Sequence, residues 1–388
     1  MKYTFDLTNK KQVIEFKQTD PYNPENTLKG YINRRQGHLY GALWITHVNN
    51  KPCKQLIYSA PKQHYPFDKS KDGEVTNWEF PDCDFVELYE KLDGTCIISY
   101  VYKDSKGNVF LTYKTRLRPF LGSSKFGNFF ELWNEMLEKY PNIINYVFDE
   151  CHNCVFELYG KRNKILIDYD VPLDTKLIFT VNASNGQIYP PTESAEHDIE
   201  TIPVLETKGM LTDWHNYNVD GQKGIYTGIQ ETLELSMKID EENKIMKGME
   251  GHVWYFIQDG HAKQIKLKPP CVLKYHWAGD AIAYESIYTT VINAFENFDE
   301  PKYSDVVGLL QEEFDESKIE KSRVRIEKIL GKVLFDKKYQ FELAEDYTKM
   351  KFDINKDKVT CMRWFGKNYP RTEAKRIYNL LKQYEEKE

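Results

Sequence analysis

Glu90-Lys91-Leu92-Asp93-Gly94-Thr95-Cys96-Ile97-Ile98 places a lysine between two apolar runs, Phe85 to Tyr89 and Cys96 to Tyr102. Both runs read as strands, and Asp93-Gly94 breaks the pattern between them. The stretch therefore predicts an amine presented from a tight turn at the lip of a sheet. There it is a nucleophile if its surroundings can remove its proton, and otherwise an ordinary solvated residue. The tetrapeptide alone does not choose between these readings. The choice rests on what lies downstream.

Cys154-Val155-Phe156-Glu157-Leu158-Tyr159-Gly160 sets one carboxylate in an apolar strand. Period-two alternation puts Phe156 and Leu158 on one face, and Glu157 with Val155 and Tyr159 on the other. A carboxylate there is costly without partners such as ribose hydroxyls, a cation or a metal, though a structural salt bridge answers equally well. Glu250-Gly251 opens a second strand, His252 to Ile257. Asp259-Gly260 is a two-residue hairpin signal, and His261 to Lys268 returns. In that register paired residues sum to 519, so Val253 faces Lys266, Gly251 faces Lys268, and Glu250 lies close to the basic arm. Lys266 and Lys268 project to the same side, an arrangement that either an anion between them or a plain solvated face would explain.

These groups suit one chemistry. A lysine attacking phosphorus must lose a proton it ordinarily holds to about pH 10.4. Neighbouring cations, Lys266, Lys268 and magnesium, are expected to depress that value and to stabilise charge on the phosphates. Glu157 is expected at the ribose and Glu250 at the metal.

Composition bounds the rest. The chain has 388 residues, which suggests two or three domains, and its 41% hydrophobic and 14% aromatic content suffices for ordinary cores. No secretory leader or membrane-length apolar run is read, so a soluble cytoplasmic protein is expected. Seven cysteines without even spacing do not suggest a disulfide framework. Cys151 and Cys154 form a Cys-x-x-Cys pair with no second pair to complete a zinc site. A net charge of −6 argues against indiscriminate nucleic-acid binding, while leaving room for a local basic groove.

Along the chain, strands are expected at Leu39 to Ile45, Gln55 to Tyr58, Ile97 to Lys103, Val109 to Thr115, Lys164 to Asp168 and Lys176 to Val181. The loop Ser59 to Phe67 carries aromatic and basic residues. Helical spacing appears over Gly127 to Tyr140 and Ile229 to Met246. Past Pro269-Pro270 it appears over Ile282 to Phe298, Ser304 to Phe314, Ser317 to Met350, and from Arg371 onward. The expected fold class is α+β, with a body of antiparallel sheets and flanking helices over 1–275 and an all-helical domain over 276–388. Arg323, Arg325, Lys328, Lys332, Lys337 and Lys338 are interspersed with glutamates and read as a solvated helix face.

The chain resembles the covalent nucleotidyltransferases, the superfamily of polynucleotide ligases and mRNA-capping enzymes. Within it, the chain is most similar to ATP-dependent RNA ligases of the bacteriophage single-strand type. Lys91-Leu92-Asp93-Gly94 matches the family's nucleophile motif, Glu157 its third motif, Glu250-Gly251 its fourth, and Lys266-Leu267-Lys268 its fifth. Lys114-Thr115-Arg116 sits where these ligases carry a basic residue near the nucleotide. The loop from Ser59 resembles their upstream Ser-Arg-Pro and Lys-Phe-Phe segment, with His64 in place of the usual lysine. Tyr40-Gly41 stands where Arg-Gly is common.

The resemblance covers roughly residues 55 to 275. It implies ATP with Mg2+ or Mn2+, Lys91 as the AMP-carrying nucleophile, and Lys266 and Lys268 as catalytic cations. It also implies a nucleotide held by Glu90, Asp93, Gly94, Arg116, Glu157, Lys266, Lys268 and His64, and a metal on Glu250 and Glu157. The partner implied is RNA with 5′-phosphate and 3′-hydroxyl ends, sealed in RNA repair by a monomer that needs no membrane. Alternatives are a DNA ligase, a guanylyltransferase, or an RNA-binding repair module without catalysis. The helical C-terminal region departs from the barrel that DNA ligases and capping enzymes append.

Overall fold

A computed structural model describes residues 5–9, 12–35, 37–69, 74–149, 152–191, 202–240, 242, 245–277, 281–312, 314 and 316–385. By contact the chain divides into two compact units, Met1–Ser322 and Arg323–Glu388.

The first unit begins with a four-stranded antiparallel meander, Val13–Thr19, Thr27–Asn33, Leu43–Val48 and Lys51–Ile57. Asn49 and Asn50, at φ 52° and 60°, supply the two left-handed residues its last hairpin needs. Its apolar face, including Phe16, Leu28, Leu43 and Ile45, packs with Tyr100, Tyr102 and Phe120 of the larger body. Residues 39–41, expected at the start of a strand, form a turn instead. Gly41 sits there at φ +76°, where a Cβ would lie 2.2 Å from the Arg116 carbonyl oxygen.

The body is a nine-stranded sheet in the order Thr207–Leu211, Phe85–Glu90, His252–Gln258, His261–Leu267, Ile188–Tyr189, Asp174–Asn182, His152–Tyr159, Gly94–Lys103, Val109–Thr115. Each neighbouring pair is antiparallel. The expected hairpin register holds, with Val253 opposite Lys266 and a left-handed Asp259-Gly260 turn. Helix Phe129–Lys139 is capped by Asn128, whose side chain accepts from Phe130 N–H at 3.0 Å, and it ends before Pro141. It buries Leu132, Trp133 and Met136 against Phe156 and Leu158. Helix Val219–Ser236 buries Tyr226 and Leu233 with Trp254 and Phe256. Each such large side chain is worth roughly 1.5–3 kcal/mol of burial.

Three expected elements differ. Lys164 to Asp168 forms no strand: Leu166 and Ile167 N–H donate to the Asp93 side chain, and a single bond from Asp168 N–H to Met246 C=O makes no ladder. The helix expected over Ile229 to Met246 starts earlier, capped by Asn218, and stops at Ser236, where a small ladder of Lys238–Asp240 with Ile245–Lys247 takes over. The run expected as one helix from Ser317 breaks at Ser322, whose hydroxyl donates to Lys318 C=O and accepts from Ile282 N–H. Helices Tyr284–Ala294, Tyr303–Leu310 and Glu316–Lys321 therefore lie in the first unit.

The second unit contains helices Arg323–Met350, Lys358–Asn368 and Ala374–Glu385 around Leu343, Tyr347, Cys361, Phe365, Ile377 and Leu381. Lys351, at φ 52°, follows the end of the long helix as a left-handed cap. The fold is α+β, a large antiparallel sheet with flanking helices followed by a helical region. No helix among the described residues is long and apolar enough to cross a membrane.

Candidate active site

Lys91 leaves its strand in a turn fixed from several sides. Its own N–H donates to Gly251 C=O at 2.8 Å. Asp93 is buried, and its Oδ2 accepts from Leu166 and Ile167 N–H at 2.6 and 2.7 Å. Asp93 N–H donates to the Tyr169 hydroxyl at 2.8 Å. Asp93 thus anchors the loop after Gly160 beneath the lysine. Gly94 is required by close approach, since a Cβ there would lie 2.1 Å from Leu158 C=O. That closeness lets Gly94 N–H donate to Glu157 Oε1 at 3.1 Å.

Glu250, 2% exposed, joins the two basic elements. Its Oε2 lies 2.5 Å from Lys91 Nζ and its Oε1 2.5 Å from Lys268 Nζ. Gly251 makes this junction possible, because any Cβ there would stand 1.9 Å from Leu267 C=O. The anion expected between the paired lysines is in part Glu250 itself. Lys266 lies instead over the Tyr65 ring, 4.5 Å from its centroid, and its N–H donates to His64 C=O at 2.9 Å.

The electrostatics correct one expectation. Burial pulls the Lys91 pKa down, but the carboxylates of Glu250, Glu157 and Asp93 outweigh it and leave it above the ordinary value. Without ligands, then, Lys91 is an ammonium held by carboxylates rather than an amine freed by cations. Glu157 is pushed up to about 7 by burial, against the attraction of Lys91 and Arg116. Near neutral pH its carboxyl can therefore either donate or accept.

These residues line one cavity of about 190 Å³, which brings together Glu90, Lys91, Asp93, Gly94, Arg116, Glu157, Glu250, Lys266 and Lys268. Phe179, Val253, Tyr255 and Ile165 supply apolar wall. His64 does not line it. Lys62 and Gln63 of the same loop do. Glu90 also pairs with Lys208 at 3.7 Å. Lys114 and Arg116 part company. Lys114 is fully buried, donates to Gly41 C=O, Ser59 Oγ, Thr115 C=O and Arg116 C=O at 2.8–3.1 Å, and is pushed down to about 7 by burial. Arg116 alone reaches the cavity. Burial lowers its pKa, but Cys96, Tyr40, Glu157 and Glu312 outweigh that. Gln311, Glu312 and Phe314 complete the wall, and the sequence reading missed all three. No spacing signal links them to a motif some 220 residues earlier.

For a metal, the fit is limited. Among the described residues no group of three or more His, Cys, Asp or Glu side chains is arranged to hold an ion. Both oxygens of Glu250 face ammonium groups. The described residues do not form a protein cage for a divalent ion. Of the Cys-x-x-Cys pair, Cys151 lies outside the described residues and Cys154 is buried.

No protein-family model matches the chain, and no curated protein sequence matches it. Among solved structures the chain is similar to an archaeal ATP-dependent RNA ligase in two forms, with 14% identity and TM-scores of 0.45 and 0.42. Those alignments cover 81% of this chain and 72% and 73% of the others. It is also similar to a Naegleria gruberi RNA ligase with pyrophosphate, at 11% identity and a TM-score of 0.35, over 69% of this chain and 98% of that one.

Proposed function

We propose that the protein is an ATP-dependent RNA ligase that works through AMP bonded to Lys91. The observation that carries this reading is the Lys91–Glu250–Lys268 bridge in the wall of a cavity that also holds Glu157, Arg116 and Lys266. Six side chains from separate stretches of the sequence meet where a nucleotide would need a nucleophile, a proton acceptor and cations.

The chemistry balances as three displacements. Lys91 Nζ forms a bond to the α-phosphorus of ATP, the bond to the bridging oxygen breaks, and pyrophosphate leaves. The 5′-phosphate of an RNA end then takes the AMP from Lys91. A 3′-hydroxyl attacks that activated phosphate, forming the phosphodiester and releasing AMP. In the first step Lys91 must give up a proton, and Glu250 Oε2 is the acceptor in contact with it. In this reading Lys268 and Lys266 offset phosphate charge, Glu157 holds the ribose, and Arg116 contacts the nucleotide. A magnesium or manganese ion supplied with ATP would add further charge neutralisation beside Glu250.

The test is incubation with α-labelled ATP or GTP and magnesium, followed by denaturation. Acid-labile label from ATP that is lost in Lys91→Ala supports the reading. Label only from GTP points to a guanylyltransferase, and none from either leaves a silent RNA-binding module. Offering 5′-phosphorylated RNA and nicked duplex DNA then separates the substrates. Sealing of nicked DNA alone would overturn the RNA assignment.

A further inference from the structure

The cavity wall includes a segment that no nucleotide motif predicts, the turn after helix Tyr303–Leu310. Glu312 from this turn is half-buried, with its side chain 9% exposed, and reaches across to the strand end that carries Arg116. Its Oε1 accepts from Thr115 Oγ1 at 2.7 Å and from Leu117 N–H at 3.1 Å. Its Oε2 lies 3.7 Å from Arg118 Nε, and Arg118 in turn donates to Ser123 C=O at 2.8 Å. One carboxylate therefore grips the residues on both sides of Arg116, while Lys114 Nζ holds the Arg116 carbonyl from beneath at 2.9 Å.

The turn is itself anchored. Arg34, buried just past the strand Thr27–Asn33, donates to Ser304 C=O at 3.1 Å and pairs with Asp305 at 3.6 Å. Asp305 in turn accepts from Lys302 N–H at 2.8 Å, closing the helix start. Gly308 lies against the Arg34 guanidinium, where a Cβ would stand 2.4 Å away. The placement of Glu312 is thus fixed by contacts outside the cavity.

We infer that Glu312 is a positioning residue for the nucleotide: it fixes the Thr115–Arg118 backbone so that the Arg116 guanidinium faces the cavity. The inference rests on the reading of this cavity as the ATP site. It assigns to the helical segment before Ser322 a part in ATP capture. A purely structural role would change folding without changing how ATP is bound.

The experiment compares the full-length wild type with Glu312→Ala and Glu312→Gln. Calorimetry gives the ATP dissociation constant, and α-labelled ATP gives the half-saturating concentration and maximal rate of self-labelling. Thermal melting confirms folding. Glu312→Ala loses the two hydrogen bonds that hold the backbone around Arg116, so ATP affinity and half-saturation should weaken by roughly tenfold or more, with a smaller change in maximal rate. Glu312→Gln keeps an acceptor for Thr115 and Leu117 and should recover part of that loss. If Glu312→Ala does not fold, Glu312→Gln carries the test, with a weakening of roughly two- to fivefold expected from loss of the Arg118 pairing. A folded variant with wild-type dissociation constant and half-saturation overturns the inference. Wild type that binds ATP without labelling, with weaker binding in the variants, supports the clamp and overturns the lysyl-transfer reading instead.

Discussion

Replacing Glu250 with Gln probes the centre of the site, because the substitution keeps the shape and removes the charge. Two ammonium groups then face a neutral amide. Breaking a buried ion pair by removing one partner costs about 3–5 kcal/mol. Lys91 keeps 20% side-chain exposure to the cavity and can shed its proton, so we expect about 2–4 kcal/mol here. The Lys91 pKa is raised in the folded protein, so the stabilisation it contributes is present below its ordinary value of 10.5 and lost as pH rises through the folded one. The difference between wild type and variant in denaturant unfolding should therefore be larger at pH 8 than above pH 10.5. With the leading attraction gone and burial retained, the Lys91 pKa should fall below ordinary. An amine-selective acylating reagent at pH 8 should modify Lys91 faster in Glu250→Gln. Self-adenylylation should nonetheless drop about a hundredfold or more, since the proton acceptor is lost. Unchanged stability together with unchanged reagent reactivity would refute the direct pairing on which this reasoning rests.

Two further perturbations follow from the same geometry. Glu157→Gln should be neutral for stability below pH 4.5 and increasingly stabilising as pH rises through about 7, by about 1–3 kcal/mol. The sign follows because the folded state favours the protonated carboxyl; denaturation at pH 5 and pH 8 checks it, and equal differences at both would contradict it. Gly251→Ala sets a Cβ against the Leu267 carbonyl at 1.9 Å, so a lowered melting temperature and a loss of roughly 2–4 kcal/mol are expected. A melting curve matching wild type would contradict it.

Much of this site was legible because its parts are local devices with strong signals. The Asp259-Gly260 turn set the register that places Val253 opposite Lys266, and the lone carboxylate in Cys154 to Tyr159 marked Glu157. What local pattern does not carry is which groups answer each other across the fold. The Lys91–Glu250 pairing reversed the expected sense of the lysine's pKa shift, because carboxylates rather than cations dominate the ligand-free site. Lys114 looked like Arg116 in sequence, yet strand alternation and four acceptors bury it as a strut. Glu312 lay in a stretch expected to belong to a separate helical domain, and long-range contacts such as the Arg34–Asp305 pair and its own bonds to Thr115 and Leu117 bring it to the cavity. Ser322 likewise ended a helix through a long-range bond to Ile282 N–H, which no periodicity reports.

Lys91 itself is the residue proposed to carry the nucleotide. Incubating the protein with ATP and magnesium, digesting it, and locating the modified peptide by mass spectrometry tests this most directly. One adenylyl group is expected on the peptide containing Lys91, absent in Lys91→Ala. An adenylyl group on any other residue, or an unmodified Lys91 in protein that seals RNA, would contradict it.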